Sequence, residues 1–155
     1  MPAPVLLLST SDTDLITARA SGAQFRWANP ARLVEGELAD LLDGAGVVVV
    51  RVLGGYRAWP DGIDGCVAAG LPVVVVSGEQ APDAELMRRS TVPAGIALQT
   101  HTYLAEGGVA NLRALHAFLS DTLLMTGFGF EPPCSNPVWG VVDRESSNDG
   151  PTVAV

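Results

Sequence analysis

The chain has 155 residues, of which 48% are hydrophobic and 17% are charged, and its formal net charge is −8. This composition is typical of a single well-packed globular domain and excludes an intrinsically disordered chain. An acidic chain without a basic cluster binds nucleic acid and anionic membranes poorly, and its apolar runs are too short to span a bilayer, so we expect neither a nucleic acid nor a membrane as a partner.

All nine cationic residues are arginines. The absence of lysine excludes a Walker A phosphate loop and Schiff-base chemistry, because both need the lysine amine. The first apolar run has no basic stretch before it and no small-residue cleavage site after it, so we interpret it as a first strand and expect a cytoplasmic protein. Cys66 is predicted to be a core residue, and a disulfide with Cys134 is not expected in that compartment.

The first half of the chain predicts alternating strands and helices. The first strand, residues 5–9, precedes a helix over residues 12–20 with Ser11 as its N-cap. A strand at about residues 24–28 follows, and Asn29-Pro30 then begins a helix that ends at Gly44.

The pattern repeats twice more. The third strand covers residues 47–53 and precedes a helix, irregular in its first turn, that ends at Gly70. The fourth strand covers residues 73–77. Three of the four strands lack polar alternation, which is typical of strands buried on both faces of a parallel sheet. The sequence therefore predicts a flavodoxin-like or Rossmann-like α/β fold with helices on both faces and the strand order 2-1-3-4.

The second half of the chain changes character. A short helix opens at Pro82, and two further helices are predicted over residues 96–106 and 109–125. From Thr126 the composition shifts to Gly, Pro, Ser and Asn, which is typical of a linker.

We therefore predict an α/β head domain over residues 1–126, followed by a linker and the start of a further domain over residues 127–155. Within that second region, residues 139–142 are apolar enough to dock back on the domain. The last five residues resemble the opening of a buried strand, so we expect the sequence to be the amino-terminal piece of a longer chain.

The loops that leave the carboxyl ends of the strands are the first place to look for a site, because open α/β folds bind ligands at that edge. Eight residues are candidates for ligand binding there: Thr10, Ser11, Arg51, Gly54, Gly55, Glu79, Gln80 and His101. The loops contain no nucleophile elbow and no G-x-G-x-x-G motif, so no catalytic residue is predicted.

Two of these candidates leave alternatives open. Arg51 lies within a buried strand and needs a partner, for which Glu79 on the neighbouring strand is the natural choice. Such a pair either stabilises the fold or holds a polar ligand. Gly54 and Gly55 either present backbone N–H groups to an anion or simply form a tight turn.

The two histidines do not predict a metal site. His101 and His116 are 15 residues apart in the sequence, and neither has a second ligand at helical spacing. We interpret His116 as a packing residue of the last helix. His101 lies where the sheet gives way to helices, and it either faces the loop edge or packs in the core.

In their order along the chain, the loop segments resemble a known family. The matching stretches are residues 7–15, 50–55, 77–86, 103–108 with Asn111-Leu112, and 118–121. Together they are similar to the amino-terminal region of the large (CobN-type) subunit of aerobic cobaltochelatase, which is related to the porphyrin-binding subunit of magnesium chelatase. The resemblance covers nearly the whole chain as far as residue 133.

The resemblance implies a place in cobalamin biosynthesis. The family's large subunit holds hydrogenobyrinic acid a,c-diamide and cobalt, and two smaller subunits, one an AAA+ ATPase, couple hydrolysis of ATP with magnesium to cobalt insertion. The partners it implies are therefore the remainder of the large subunit, the two smaller subunits and the corrinoid precursor. The family's metal-insertion residues lie in parts absent from this sequence, so the domain is expected to be non-catalytic alone and to bind no cofactor of its own.

Two readings from other classes stay open at this point. One is a free-standing flavodoxin-like module that binds a small ligand or regulates a partner, with Arg51 and Glu79 as polar anchors. The other is a small enzyme acting on a phosphate-bearing ligand, against which the missing lysine and missing motif count.

Overall fold

The computed structural model describes residues 5–127 and 129–135. Its four strands are β1 (Val5–Ser9), β2 (Phe25–Ala28), β3 (Val47–Val52) and β4 (Val73–Ser77). Its six α-helices are α1 (Asp12–Ala20), α2 (Glu37–Leu42), α3 (Pro60–Ala68), α4 (Ala84–Arg88), α5 (Ala94–Glu106) and α6 (Val109–Leu123). No helix in this described part is both long and apolar enough to cross a membrane.

The four strands form one parallel sheet in the order β2-β1-β3-β4, which confirms the predicted fold class and order. Every residue of β1, β3 and β4 is buried. Successive side chains of a strand point to opposite faces, so the sheet divides the core in two. Val5 and Leu7 pack on the side of α1, α5 and α6, whereas Leu6 and Leu8 pack on the side of α3.

The helix that was predicted from Asn29 to Gly44 is interrupted. Asn29 does cap a helical turn, since its Oδ1 accepts a hydrogen bond from the Ala31 N–H at 2.9 Å. That turn is a 3₁₀ helix of three residues, Pro30–Arg32, and Leu33 is already extended with ψ 137°. Gly36 then adopts φ +90°, a left-handed conformation that glycine allows at little cost, and α2 begins only at the next residue.

The chain beyond α6 packs against the last two helices as far as it is described. The Phe130 ring meets Phe118 edge to face, with 5.0 Å between centroids. The Asn111 side chain bonds to both main-chain groups of Cys134, accepting from its N–H at 2.9 Å and donating to its C=O at 2.8 Å. The Tyr103 hydroxyl donates to the Glu131 C=O. The predicted docking of residues 139–142 and the strand predicted at 151–155 lie outside the described residues.

His116 makes the stability of the fold dependent on pH. Its ring packs edge to face on Phe25 at 5.2 Å, and its Nε2 is buried without a partner among the described residues. Burial lowers the pKa of this imidazole, and an interaction with the Gln24 main chain opposes the shift. The unfolded state therefore takes up a proton near its ordinary pKa of about 6.5 before the folded state does, and stability is lost as the pH falls through that value.

We expect wild-type protein to lose more unfolding free energy than a His116→Gln variant between about pH 7.5 and pH 5.5. Urea unfolding followed by circular dichroism at both pH values measures this difference. Parallel losses in the two proteins would show that His116 does not carry the effect.

Candidate functional site

The structure brings the loop candidates together at the carboxyl edge of the sheet. The Thr10 N–H donates to the Arg51 C=O at 3.1 Å, and the Leu53 N–H donates to the Thr10 hydroxyl at 3.1 Å. His101 Nε2 lies 2.9 Å from the Glu79 C=O. The loops after β1, β3 and β4 therefore form one continuous surface, as the parallel sheet predicted.

Arg51 does not pair with Glu79, so that prediction is wrong. Its Nη1 instead donates to both carboxylate oxygens of Asp14, each at 2.9 Å. Asp14 lies on the inner face of α1, where it is 6% exposed, whereas Glu79 is exposed beyond the end of β4. A buried guanidinium needs a buried counter-charge, and α1 supplies it because β1 is next to β3.

The remaining donors of Arg51 bind protein oxygens as well. Nε donates to the Ser77 C=O at 3.1 Å, Nη1 to the Leu104 C=O at 3.3 Å and Nη2 to the Gly78 C=O at 3.3 Å. All three guanidinium nitrogens thus hold the ends of β4 and α5 in place. This arrangement fits a positioning role beneath the loop edge better than a polar anchor for a ligand.

Ser9 completes this buried network by donating from its hydroxyl to Asp14 Oδ2 at 2.7 Å. The network of Ser9, Asp14 and Arg51 was missed in the sequence, where Asp14 was interpreted only as a first-turn residue of α1. Two signals pointed to it. Arg51 is the one charged residue in an otherwise apolar run, and Asp14 sits three residues after the cap, on the side that carries Leu15 and Ala18 into the core.

Ser11 and Thr10 also use their hydroxyls within the fold. Ser11 caps α1, as predicted, since its Oγ accepts from the Asp14 N–H at 3.4 Å. The Ser11 N–H in turn donates to the Ser9 hydroxyl at 3.0 Å. These bonds fix the loop after β1 directly above the buried ion pair.

Gly54 and Gly55 form the turn that leaves β3. Their φ angles are +98° and +80°, which is the conformation a tight turn demands of glycine. A Cβ on Gly55 would lie 3.8 Å from Asp83 Oδ2. A carboxylate at this distance opposes an anion beside the turn, so the geometry favours the turn interpretation over an anion cradle.

Gln80 and His101 link the loop after β4 to α5. The Gln80 side chain donates to the Ala105 C=O at 3.3 Å. His101 is 3% exposed, so it faces the loop edge without opening to solvent. The Glu79 carboxylate is the exposed polar group of this loop, and the ligand-binding role assigned to all three residues stays a prediction.

Two grooves lie away from the loop edge. One, of about 610 Å³, runs between α6 and residues 129–134. The other, of about 460 Å³, lies beside β2 and is lined by α1, by Trp27 and by Arg32. Among residues 5–127 and 129–135, no three His, Cys, Asp or Glu side chains are grouped to hold a metal ion.

The chain is similar to two proteins of one kind. A curated protein from Pseudomonas aeruginosa, the aerobic cobaltochelatase subunit CobN, is 28% identical over 151 residues, in an alignment that covers 88% of this chain and 12% of that protein. The solved structure of the catalytic subunit of cobaltochelatase from Mycobacterium tuberculosis is 66% identical with a TM-score of 0.88, and the match covers 94% of this chain and 12% of that one. No protein-family model matches the chain.

These similarities confirm the resemblance to the amino-terminal region of a CobN-type subunit. At 66% identity the likeness extends to sequence as well as to fold. The chain nevertheless spans only 12% of the length of the relatives that it matches.

Proposed function

We propose that this chain is the amino-terminal head domain of a cobaltochelatase large subunit and that it contributes to ATP-dependent cobalt insertion without catalysing it alone. The observation that carries the proposal is the 66% identity, over 94% of this chain, to a protein described as the catalytic subunit of cobaltochelatase. Because that match occupies 12% of the larger chain, the function of this domain depends on the rest of the subunit.

The chemistry of the loop edge supports a supporting role. The strongest polar groups there, Arg51 and Asp14, bind each other and the surrounding main chain. The Thr10 and Ser11 hydroxyls accept hydrogen bonds from the main chain in the same way. A catalytic site needs polar groups aimed at a substrate, whereas these groups are aimed at one another. The edge therefore suits a rigid surface for contact with other parts of a complex.

The proposal assigns substrates and partners to the whole assembly. The substrates are cobalt and hydrogenobyrinic acid a,c-diamide, in a cytoplasmic step of cobalamin biosynthesis. The partners are the remainder of the large subunit and two smaller subunits, of which one is an AAA+ ATPase that uses ATP with magnesium. This chain contributes structure to that assembly.

Cobalt insertion measured with and without this chain tests the proposal. We expect no insertion when the isolated chain is mixed with the two smaller subunits, ATP, magnesium, cobalt and the corrinoid. The complete large subunit should insert cobalt under the same conditions. A large subunit without this region should lose most of its activity and recover it when the region is restored in the same chain.

Two results would contradict the proposal. Cobalt insertion by the isolated chain would assign catalysis to this domain. Full activity of the large subunit without the region would remove its contribution. Calorimetric titration of the isolated chain with ATP and with the corrinoid belongs to the same test, because tight binding of either would favour a ligand-binding module instead.

A further inference from the structure

The two edges of the sheet are treated differently by the fold. At the β4 edge, the Val73 N–H donates to the Thr91 hydroxyl at 2.8 Å and the Thr91 N–H donates to the Val73 C=O at 2.8 Å. The Val75 N–H donates to the Ser90 hydroxyl at 2.8 Å. The segment after α4 thus occupies the main-chain groups that a further strand would need.

The β2 edge is open. The Val5 N–H donates to the Gln24 C=O, and alternate residues of a parallel strand face the same neighbour, so Arg26 and Ala28 bond to β1 while Phe25 and Trp27 face outward. The Phe25 N–H donates back to the Ala23 C=O. Within the described part of the chain, neither the N–H nor the C=O of Trp27 has a hydrogen-bond partner beyond the sheet.

Apolar side chains surround this open edge. Trp27 is 40% exposed and Ile16 on the adjacent α1 is 68% exposed, and both line the 460 Å³ groove beside β2. Arg32 at the rim of the groove is already paired with Asp12 at 2.7 Å. An unpaired strand edge next to exposed aromatic and aliphatic side chains is the arrangement that binds an added strand.

We infer that the outer edge of β2 binds an extended apolar segment from the remainder of the large subunit, which adds a fifth strand to the sheet. The inference rests on the proposed function, because the occupant is the rest of that subunit. Two observations select this occupant over others. The relatives carry 12% of their length in this region, so a large mass of chain remains to be placed against it, and the opposite sheet edge is already closed.

Amide hydrogen exchange resolved to single residues tests the inference on wild-type protein. The Trp27 amide should exchange about tenfold or more slowly in the complete large subunit than in the isolated chain. The Val73 and Val75 amides of β4 serve as internal controls, because they are hydrogen-bonded within the domain and should not change. Equal exchange of Trp27 in the two samples would overturn the inference.

A proline variant removes the outward donor selectively. Trp27→Pro deletes an N–H that the isolated domain does not use, and prolines are tolerated at sheet edges, so the isolated variant should keep its circular dichroism spectrum. In the complete subunit it should restore fast exchange at the neighbouring amides of β2, whereas Trp27→Val, which keeps the N–H, should behave as the wild type. Slow exchange in the complete Trp27→Pro subunit would contradict strand addition, and if the isolated variant does not fold, the wild-type comparison decides.

The same samples separate this inference from the proposed function. Fast exchange of Trp27 in a complete subunit whose cobalt insertion needs this region would overturn the inference alone. Protection of Trp27 alongside cobalt insertion by the isolated chain would overturn the proposed function alone. Protection in the isolated chain that rises with concentration, together with a dimer mass in sedimentation, would assign the edge to a second copy and overturn the inference.

Discussion

Replacing Asp14 by asparagine is expected to lower the free energy of unfolding by about 3–5 kcal/mol, the range seen when one partner of a buried ion pair is removed. Arg51 is 7% exposed and directs two of its hydrogen bonds at the Asp14 carboxylate. Asparagine keeps the volume and one acceptor but removes the charge, so the guanidinium would remain buried without a counter-ion. Urea unfolding of the isolated chain, followed by circular dichroism, measures the loss.

Asp12 provides the matched control two residues away. It forms a bidentate pair with Arg32, at 2.9 Å and 2.7 Å, but the two side chains are 51% and 69% exposed. Because water screens exposed pairs, Asp12→Asn should leave the unfolding midpoint nearly unchanged. The Arg51→Met/Asp14→Leu double variant should recover most of the stability lost in Asp14→Asn, since no charge is then left unpaired. Equal effects of the two Asp→Asn variants would contradict this account of the buried pair.

The sheet was predictable because its signal is local. Four consecutive valines in β3 and in β4 admit no polar face, and strands of that kind occur in parallel sheets covered on both sides. Right-handed crossovers then leave few strand orders, and the order 2-1-3-4 follows. The start of α1 was predictable for the same reason, because an N-cap depends only on Ser11 and the residues that follow it.

The partner of Arg51 was not predictable in this way. Asp14 and Glu79 both lie near the carboxyl edge of the sheet, and both carry the required charge. What separates them is burial, which depends on how α1 rotates against the sheet and therefore on packing that no local pattern reports. The sequence does state that a buried arginine needs a carboxylate, but tertiary structure chooses which one.

The interruption before α2 has a different cause. Val34, Leu38, Leu41 and Leu42 have helical spacing, and this suggested one helix from Asn29 onward. Val34 is 67% exposed in the structure, so it belongs to no apolar face. Gly36 supplied a local warning, since glycine inside a helix is unfavourable and frequently marks a left-handed residue.

Gly78→Ala is expected to destabilise the protein by about 1–3 kcal/mol, the range for overpacking a close contact. A Cβ at this position would lie 2.9 Å from the Leu53 backbone nitrogen and 3.1 Å from its Cα. The obstacle is main chain, which cannot rotate away as a side chain can. The Gly78 N–H also donates to the Val52 C=O at 2.8 Å, and its C=O accepts from Arg51, so any shift loosens both the edge and the buried network.

Gly65→Ala is the control of opposite sign, and the pair together tests whether close approach at the loop edge makes Gly78 necessary. Gly65 lies within α3, and a Cβ there would meet the Leu38 side chain at an ordinary distance of 3.7 Å. Alanine should therefore stabilise the helix by about 0.5–1 kcal/mol. Urea unfolding of both variants gives the two signs. A neutral Gly78→Ala would show that the loops after β3 and β4 can separate, and the rigid loop edge on which the contact role of this domain depends would then have to be abandoned.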